Sequence, residues 1–171
     1  MPDMNSELLS VVDHDDRVLD ALPRSEIHRR QLRHRAAHIL IFNSRRQLFL
    51  QQRSLNKDVN PGLWDSSAAG HLDAGESYDV CAVREIREEL GVTLELPPQR
   101  LFKLPARAAT GMEFIQVYEG MHDGPFRLAK DEISAGGWFD VTDIAERVAR
   151  RDPQLSPGFI TIWQRYAALK P

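Results

Sequence analysis

Residues 70 to 92 read GHLDAGESYDVCAVREIREELGV, a stretch bracketed by Gly70 and Gly91 that carries the carboxylates of Glu85, Glu88 and Glu89 close together. Its composition favours a helix between Glu76 and Gly91. Ser77 can cap it, Gly91 supplies a left-handed stop, and Ala82, Ile86 and Leu90 form a core-facing stripe. At about 100° per residue the three glutamates share a separate face as i, i+3 and i+4 neighbours, with Arg84 and Arg87 on a third. Like-charge pairs at this spacing cost an exposed helix only about 0.2 to 0.5 kcal/mol each, so spacing alone also permits a solvated acidic face. A partly buried face needs a hard cation with oxygen ligands, and a carboxylate cluster suits Mg²⁺ or Mn²⁺.

The segments around this helix predict a mixed α/β (α+β) chain. LLSVV and RVLDAL flank the polar turn His14-Asp15-Asp16 and predict a hairpin, within an N-terminal extension over residues 1–30. Ser25 can cap a short helix, SEIHRRQL. RAAHILIFN and QLFLQQR read as two strands that should pair through the turn Asn43 to Arg46. SLNKDVNPGLWDSSAAG is a long loop, of the kind that usually carries function, returning as a short strand. Strands are predicted at RLFKLPAR, MEFIQVYEG and GGWFD, then a helix begun by Thr142 and stopped by Pro153. A last helix within 154–171 has Ser156 as N-cap and Pro157 at its first position. This order suggests a mixed sheet between helices in one domain over residues 1–171.

Composition narrows the partners. A net charge of −3 argues against general affinity for nucleic-acid polymers or anionic membranes, so recognition should be local. The single cysteine, Cys81, excludes an intramolecular disulfide and a thiolate zinc cluster and makes the cytoplasm the default location. No apolar run reaches the roughly 18 residues of a membrane span.

The stretch from Gly70 to Val92 resembles the box of the Nudix (MutT-like) hydrolases, G-x5-E-x7-R-E-U-x-E-E-x-G-U with U aliphatic. Each fixed position is met: Gly70, Glu76, Arg84, Glu85, Ile86, Glu88, Glu89, Gly91 and Val92. At average residue frequencies a random chain of this length would match on the order of once in ten million times, which sets the solvated-face reading aside. The resemblance implies a Nudix-type α/β/α sandwich and a loop-helix-loop that binds divalent cations and a diphosphate. It implies cleavage of a small nucleoside-diphosphate derivative or related diphosphate by water attack. Glu85, Glu88 and Glu89 would hold Mg²⁺ or Mn²⁺, helped by the Gly70 carbonyl. Glu85 or Glu88 would orient or deprotonate the water, Arg84 would orient a carboxylate, and Glu76 would fasten the loop to the helix start.

Residues 34 to 80 carry a second resemblance, to the branch that contains isopentenyl-diphosphate isomerase: His34 before the strand ending FN, then RSLNK, PGLW and the GH that opens the box. By that likeness Arg53 and Lys57 would contact the diphosphate. The isomerase uses a catalytic cysteine immediately before the glycine, where this chain has Ala69, and its own box is eroded where this one is complete. Cys81, on the helix, reads as a small buried residue. Both departures favour hydrolysis, with isomerisation and a non-catalytic nucleotide-binding module as alternatives. The likeness also places His34, His71 and Glu113 around a metal, whereas His28 lies one residue off the family's spacing. Glu113 alone would serve as an extra ligand or base. Trp64, Phe114, Tyr118, Trp138 and Phe139 could stack on a planar group, though aromatic residues on strands more often pack in the core. The hairpin and apolar strand edges would permit a homodimer.

Overall fold

The longest apolar run of the sequence becomes the central strand, His34–Phe42, and is buried on both faces, which is why its residues do not alternate with polar ones. The computed structural model describes residues 7–170. In chain order its elements are Leu8–Val12 (β1), Val18–Pro23 (β2), Arg24–Arg30 (α1), His34–Phe42 (β3), Leu48–Arg53 (β4), Trp64–Asp65 (β5) and Ala68–His71 (β6). Tyr78–Glu85 (α2), Gln99–Leu104 (β7), Glu113–Met121 (β8), Ile133–Phe139 (β9), Val141–Ala149 (α3) and Pro157–Leu169 (α4) follow.

β3 pairs in parallel with β8 and antiparallel with β6, and β8 pairs antiparallel with β7, so the sheet is mixed. Ala37, Ile39 and Ile41 of β3 pack with Cys81, Ala82, Ile86 and Leu90 on one face. Ala36, Leu40 and Phe42 pack with Ile144, Phe159, Ile162 and Trp163 of α3 and α4 on the other. This is the expected sheet between helices.

The expected pairing of β3 with β4 is nearly absent. The two strands meet only at Phe42 and Leu48, after which β4 takes β9 and β5 as partners. Ser67 sits in the split: its hydroxyl accepts from the Ile41 amide at 2.8 Å and donates to the Phe49 carbonyl at 2.6 Å. It thereby satisfies backbone groups on both strands that a direct ladder would have joined.

The hairpin β1–β2 forms as expected and lies on the larger sheet rather than in it. Asp16, at its tip with φ 62°, accepts from Arg35 Nε at 2.6 Å, Lys103 Nζ at 2.7 Å and the Tyr78 hydroxyl at 2.8 Å. One carboxylate therefore ties the hairpin to β3, β7 and α2.

The caps divide evenly between success and correction. Ser77 and Ser156 accept from Val80 and Phe159 amides as N-caps should. Ser25 does not cap α1, which starts at Arg24 because that residue's amide still completes the hairpin by donating to Glu7. Thr142 does not cap α3, whose N-cap is Asp140. No helix among the described residues is long and apolar enough to cross a membrane.

Candidate active site

The acidic stretch forms α2 and then one π-helical turn, Ile86–Leu90, ended by Gly91 at φ 71°. Wide turns of this kind recur at functional sites. The carbonyls of Glu89 and Leu90 accept from the Ala129 and Arg127 amides at 3.0 and 2.9 Å, so the segment before β9 is laid against the helix end. Gly91 admits that approach, because a Cβ there would lie 3.0 Å from Arg127 Cβ.

The three glutamates do not share one environment. Glu85 and Glu89 are buried, while the Glu88 side chain is 58% exposed. Glu89 is fixed by the Ala69 amide, which donates to Oε1 at 2.7 Å, and by Gln51 Nε2 at 3.3 Å from Oε2. Glu85 lies against Gly70, where an ideal Cβ would sit 2.0 Å from Oε1, so only glycine leaves room for this carboxylate. The Gly70 carbonyl also faces the helix, 3.7 Å from Cys81 Sγ.

Arg84 is the hub of the stretch rather than a member of a third face. It donates to Glu76 through Nε at 2.7 Å and Nη2 at 2.8 Å, and through Nη1 to Glu85 at 2.8 Å and Glu88 at 3.1 Å. Its Nη2 also reaches the His71 carbonyl at 3.0 Å, and Glu76 accepts from the Asp73 amide at 2.9 Å. The loop is thus fastened to the helix by Glu76 and Arg84.

Burial pushes Glu85 and Glu89 above the usual carboxylate range, and the charge of Glu89 adds to the push on Glu85. Arg84 offsets part of this at Glu85, and the Ala69 amide and Gln51 offset part of it at Glu89. Two buried carboxylates of raised pKa, with oxygen the only donor atom and a glycine cleared beside one of them, fit a hard divalent cation.

Lys57 is brought toward Glu89 and forms an ion pair with Glu132, which precedes β9. Arg53, at the end of β4, donates to the Val59 carbonyl at 2.9 Å and so shapes the loop from its own side. Glu132 had no signal in the sequence beyond being one acid among many. Gln51 and the Ala69 amide were equally unmarked, because their role follows from β4 and β6 flanking Ser67.

Glu113, on β8, lies on the face of β3 that carries His34. Its Oε1 is 2.8 Å from His71 Nε2 and 3.5 Å from His34 Nε2. The His34 Nε2 is a fully buried nitrogen with no hydrogen-bond partner. His28, which sequence spacing left out, joins them: its ring centroid is 5.2 Å from those of His34 and His71, which are 5.0 Å apart. One nitrogen from each of the three rings can be chosen so that all lie within 4.8 Å of one another. The one-residue offset is absorbed by Gln31, whose left-handed φ of 52° turns the end of α1 back over β3. Burial, with His71, Arg24 and His34 nearby, pushes His28 down to about 4, so its ring is neutral at pH 7. Burial works to raise Glu113, but the two histidines beside it outweigh that and hold it low. Three imidazole rings with a carboxylate beside them, one ring nitrogen being buried and orphaned, make a donor set that fits a transition-metal ion.

A model described as the NUDIX domain matches residues 32–159. The chain belongs to the Nudix hydrolase family. Among its relatives, a Pseudomonas aeruginosa protein named only as an uncharacterised Nudix hydrolase is 40% identical over 133 residues, covering 76% of each chain. An isopentenyl-diphosphate Delta-isomerase of Serratia proteamaculans is 33% identical over 165 residues, covering 95% of this chain and 92% of that one. A crystal structure from Deinococcus radiodurans superposes with a TM-score of 0.82 at 27% identity, over 93% of this chain and 98% of that one.

Within the Nudix fold, the aromatic candidates are mostly structural. Phe114 and Tyr118 are buried in the core beside α2, and the Tyr118 hydroxyl donates to Asp79. Trp64 and Phe139 pack edge to face on the α3–α4 side, and Trp138 packs against Phe49 and Phe126. Cys81 is buried beneath the box. Burial and the nearby Glu85 and Glu76 raise its thiol pKa, so it is no reactive thiolate.

Proposed function

We propose that the chain is a Mg²⁺- or Mn²⁺-dependent pyrophosphohydrolase that cleaves a small nucleoside-diphosphate derivative or related organic diphosphate by water attack. The observation that carries this reading is the complete carboxylate set, with Glu85 seated on Gly70 and Glu89 held by the Ala69 amide. Glu85, Glu88, Glu89 and the Gly70 carbonyl would hold the cation, which when bound neutralises diphosphate oxygens and makes water more acidic. Arg84 holds Glu85 and Glu88 side by side, and one of these two takes the proton of the attacking water. Lys57 exchanges Glu132 for a phosphate oxygen, and Arg53 supplies a second charge-assisted donor. A second divalent ion of transition-metal type would sit among His28, His34, His71 and Glu113.

The isomerase relatives motivate a second reading, and Ala69 argues against it, since a methyl group transfers no proton. Purified protein with Mg²⁺ or Mn²⁺, offered a panel of organic diphosphates with products identified by mass, should yield hydrolysis products that EDTA abolishes. Deuterium incorporation from heavy water into isopentenyl diphosphate, without hydrolysis of any diphosphate, would favour the isomerase instead. Nucleotide binding with no product of either kind would leave a binding module.

A further inference from the structure

Asp58 is a charged residue beside Lys57 to which the hydrolase reading gives no work. It belongs to the loop between β4 and β5, and each of its chain neighbours is tied to a residue of the candidate site. Lys57 pairs with Glu132, and the Val59 carbonyl accepts from Arg53 Nε at 2.9 Å. The Asp58 side chain instead reaches α1. Its Oδ1 accepts from Arg24 Nη2 at 3.0 Å, and its Oδ2 lies 3.8 Å from His28 Nδ1.

These contacts join the loop to the histidine cluster. Arg24 is buried, and its Nε lies 3.4 Å from His71 Nδ1, so one guanidinium spans from Asp58 to a member of the cluster. His34, His71 and Glu113 are carried by β3, β6 and β8, whereas His28 is carried by α1, a helix of seven residues. Ile27 of α1 packs in a small apolar cluster with Leu9 and Val11, apart from the two cores that flank the sheet. The loop is lightly held as well. Its Ser54 amide donates to the Glu132 carbonyl at 2.9 Å, Lys57 and Gly62 close turns within it, and Leu55 and Val59 are exposed. Segments with so little apolar burial open at low cost, so each gains from whatever fixes the other.

We propose that Asp58 couples the histidine cluster to the diphosphate contacts: an ion that fixes His28 fixes α1, and Arg24 and His28 then hold Asp58 and the loop that presents Lys57. The inference rests on the hydrolase reading, with its second ion, and deepens it by making the placement of Lys57 depend on that ion. Asp58 touches neither ion nor substrate and is a positioning residue. A carboxylate on the far side of a ligating imidazole orients the ring, and losing such a partner costs about 10- to 100-fold in metal affinity. By linkage, ion and diphosphate strengthen each other's binding by the same factor.

The test keeps Mg²⁺ present throughout and titrates Co²⁺ into wild type, Asp58→Ala, Asp58→Asn and His28→Ala. Binding is followed by the visible absorption of the cobalt, and amide hydrogen exchange of residues 54–63 is measured with and without it. In wild type, Co²⁺ should slow exchange of this loop at least ~5-fold. Asp58→Ala should lose the slowing and bind Co²⁺ at least ~10-fold more weakly, and His28→Ala should also lose the slowing. Asp58→Asn, which keeps an acceptor for Arg24, should retain part of both effects and decides the matter if Asp58→Ala does not fold. On a diphosphate that the wild type cleaves, Asp58→Ala should raise KM at least ~5-fold with kcat within about 2-fold. Loop exchange in wild type that ignores Co²⁺, slowing that survives in Asp58→Ala or His28→Ala, or an unchanged KM would overturn the inference and leave the hydrolase reading standing. No turnover of any diphosphate would overturn the hydrolase reading and this inference with it.

Discussion

The carboxylate of Glu85 fills the space that a side chain on Gly70 would need, with Oε1 2.0 Å and Cδ 2.1 Å from an ideal Cβ. The colliding atoms are the end of a flexible side chain, so Gly70→Ala should fold, at a cost of about 1 kcal/mol or less. The displaced carboxylate can no longer close the metal site. Mg²⁺ titration of activity should therefore show at least ~10-fold weaker metal dependence in this variant, with little change in melting temperature.

Metal removal should make stability depend on pH in a stated direction. Glu85 and Glu89 bind protons more tightly in the folded chain than in the unfolded one, because burial raises both. Their contribution is intact below the ordinary glutamate pKa and is lost as pH rises through the raised folded values. Metal-free protein should melt lower at pH 8 than at pH 5 on this account, and Mg²⁺ or Mn²⁺ should restore the loss at pH 8. Glu85→Gln should remove much of the slope.

Asp16 has the opposite sign. Burial works to raise it, but Lys103, Arg35 and Tyr78 together outweigh that and lower it, so its stabilisation is present above the ordinary aspartate range and is lost on acidification. Asp16→Asn keeps a residue tolerant of φ 62° while discarding the charge. It should cost about 2 kcal/mol in urea unfolding and expose the hairpin to limited proteolysis.

Ser67→Ala removes the hydroxyl that bridges the Ile41 amide and the Phe49 carbonyl. Both backbone groups are then buried without partners in the split between β3 and β4. The expected cost is about 3 kcal/mol in equilibrium unfolding, and an effect below about 1 kcal/mol would mean that water or a closer approach of the strands replaces the bridge.

What the sequence made legible was what local spacing encodes. The box residues, the Ser77 and Ser156 caps, the Gly91 stop, the hairpin and the buried stripe of Ala82, Ile86 and Leu90 all depend on neighbours a few positions away. The corrections come from contacts between distant segments. Pairing of β3 with β4 fails because Ser67, remote from both, enters between them. His28 joins His34 and His71 because Gln31 turns left-handed, which a spacing rule does not see. The π-helical turn leaves no mark in IREEL, and the partners of the free Glu89 and Leu90 carbonyls at the helix end, the Ala129 and Arg127 amides, come from a distant segment. Glu113 was placed with His34 and His71 by the isomerase likeness, and the parallel register of β8 with β3 sets it beside His34.

The most direct measurement is the Mg²⁺-dependent hydrolysis rate of Glu89→Gln on a diphosphate that the wild type cleaves. Glutamine keeps the shape and can still accept from the Ala69 amide, so the fold should persist while the charge that would hold the cation is gone. The rate should fall at least ~100-fold with an unchanged far-UV spectrum. A rate within a few-fold of wild type that also persists in EDTA would contradict the proposed mechanism.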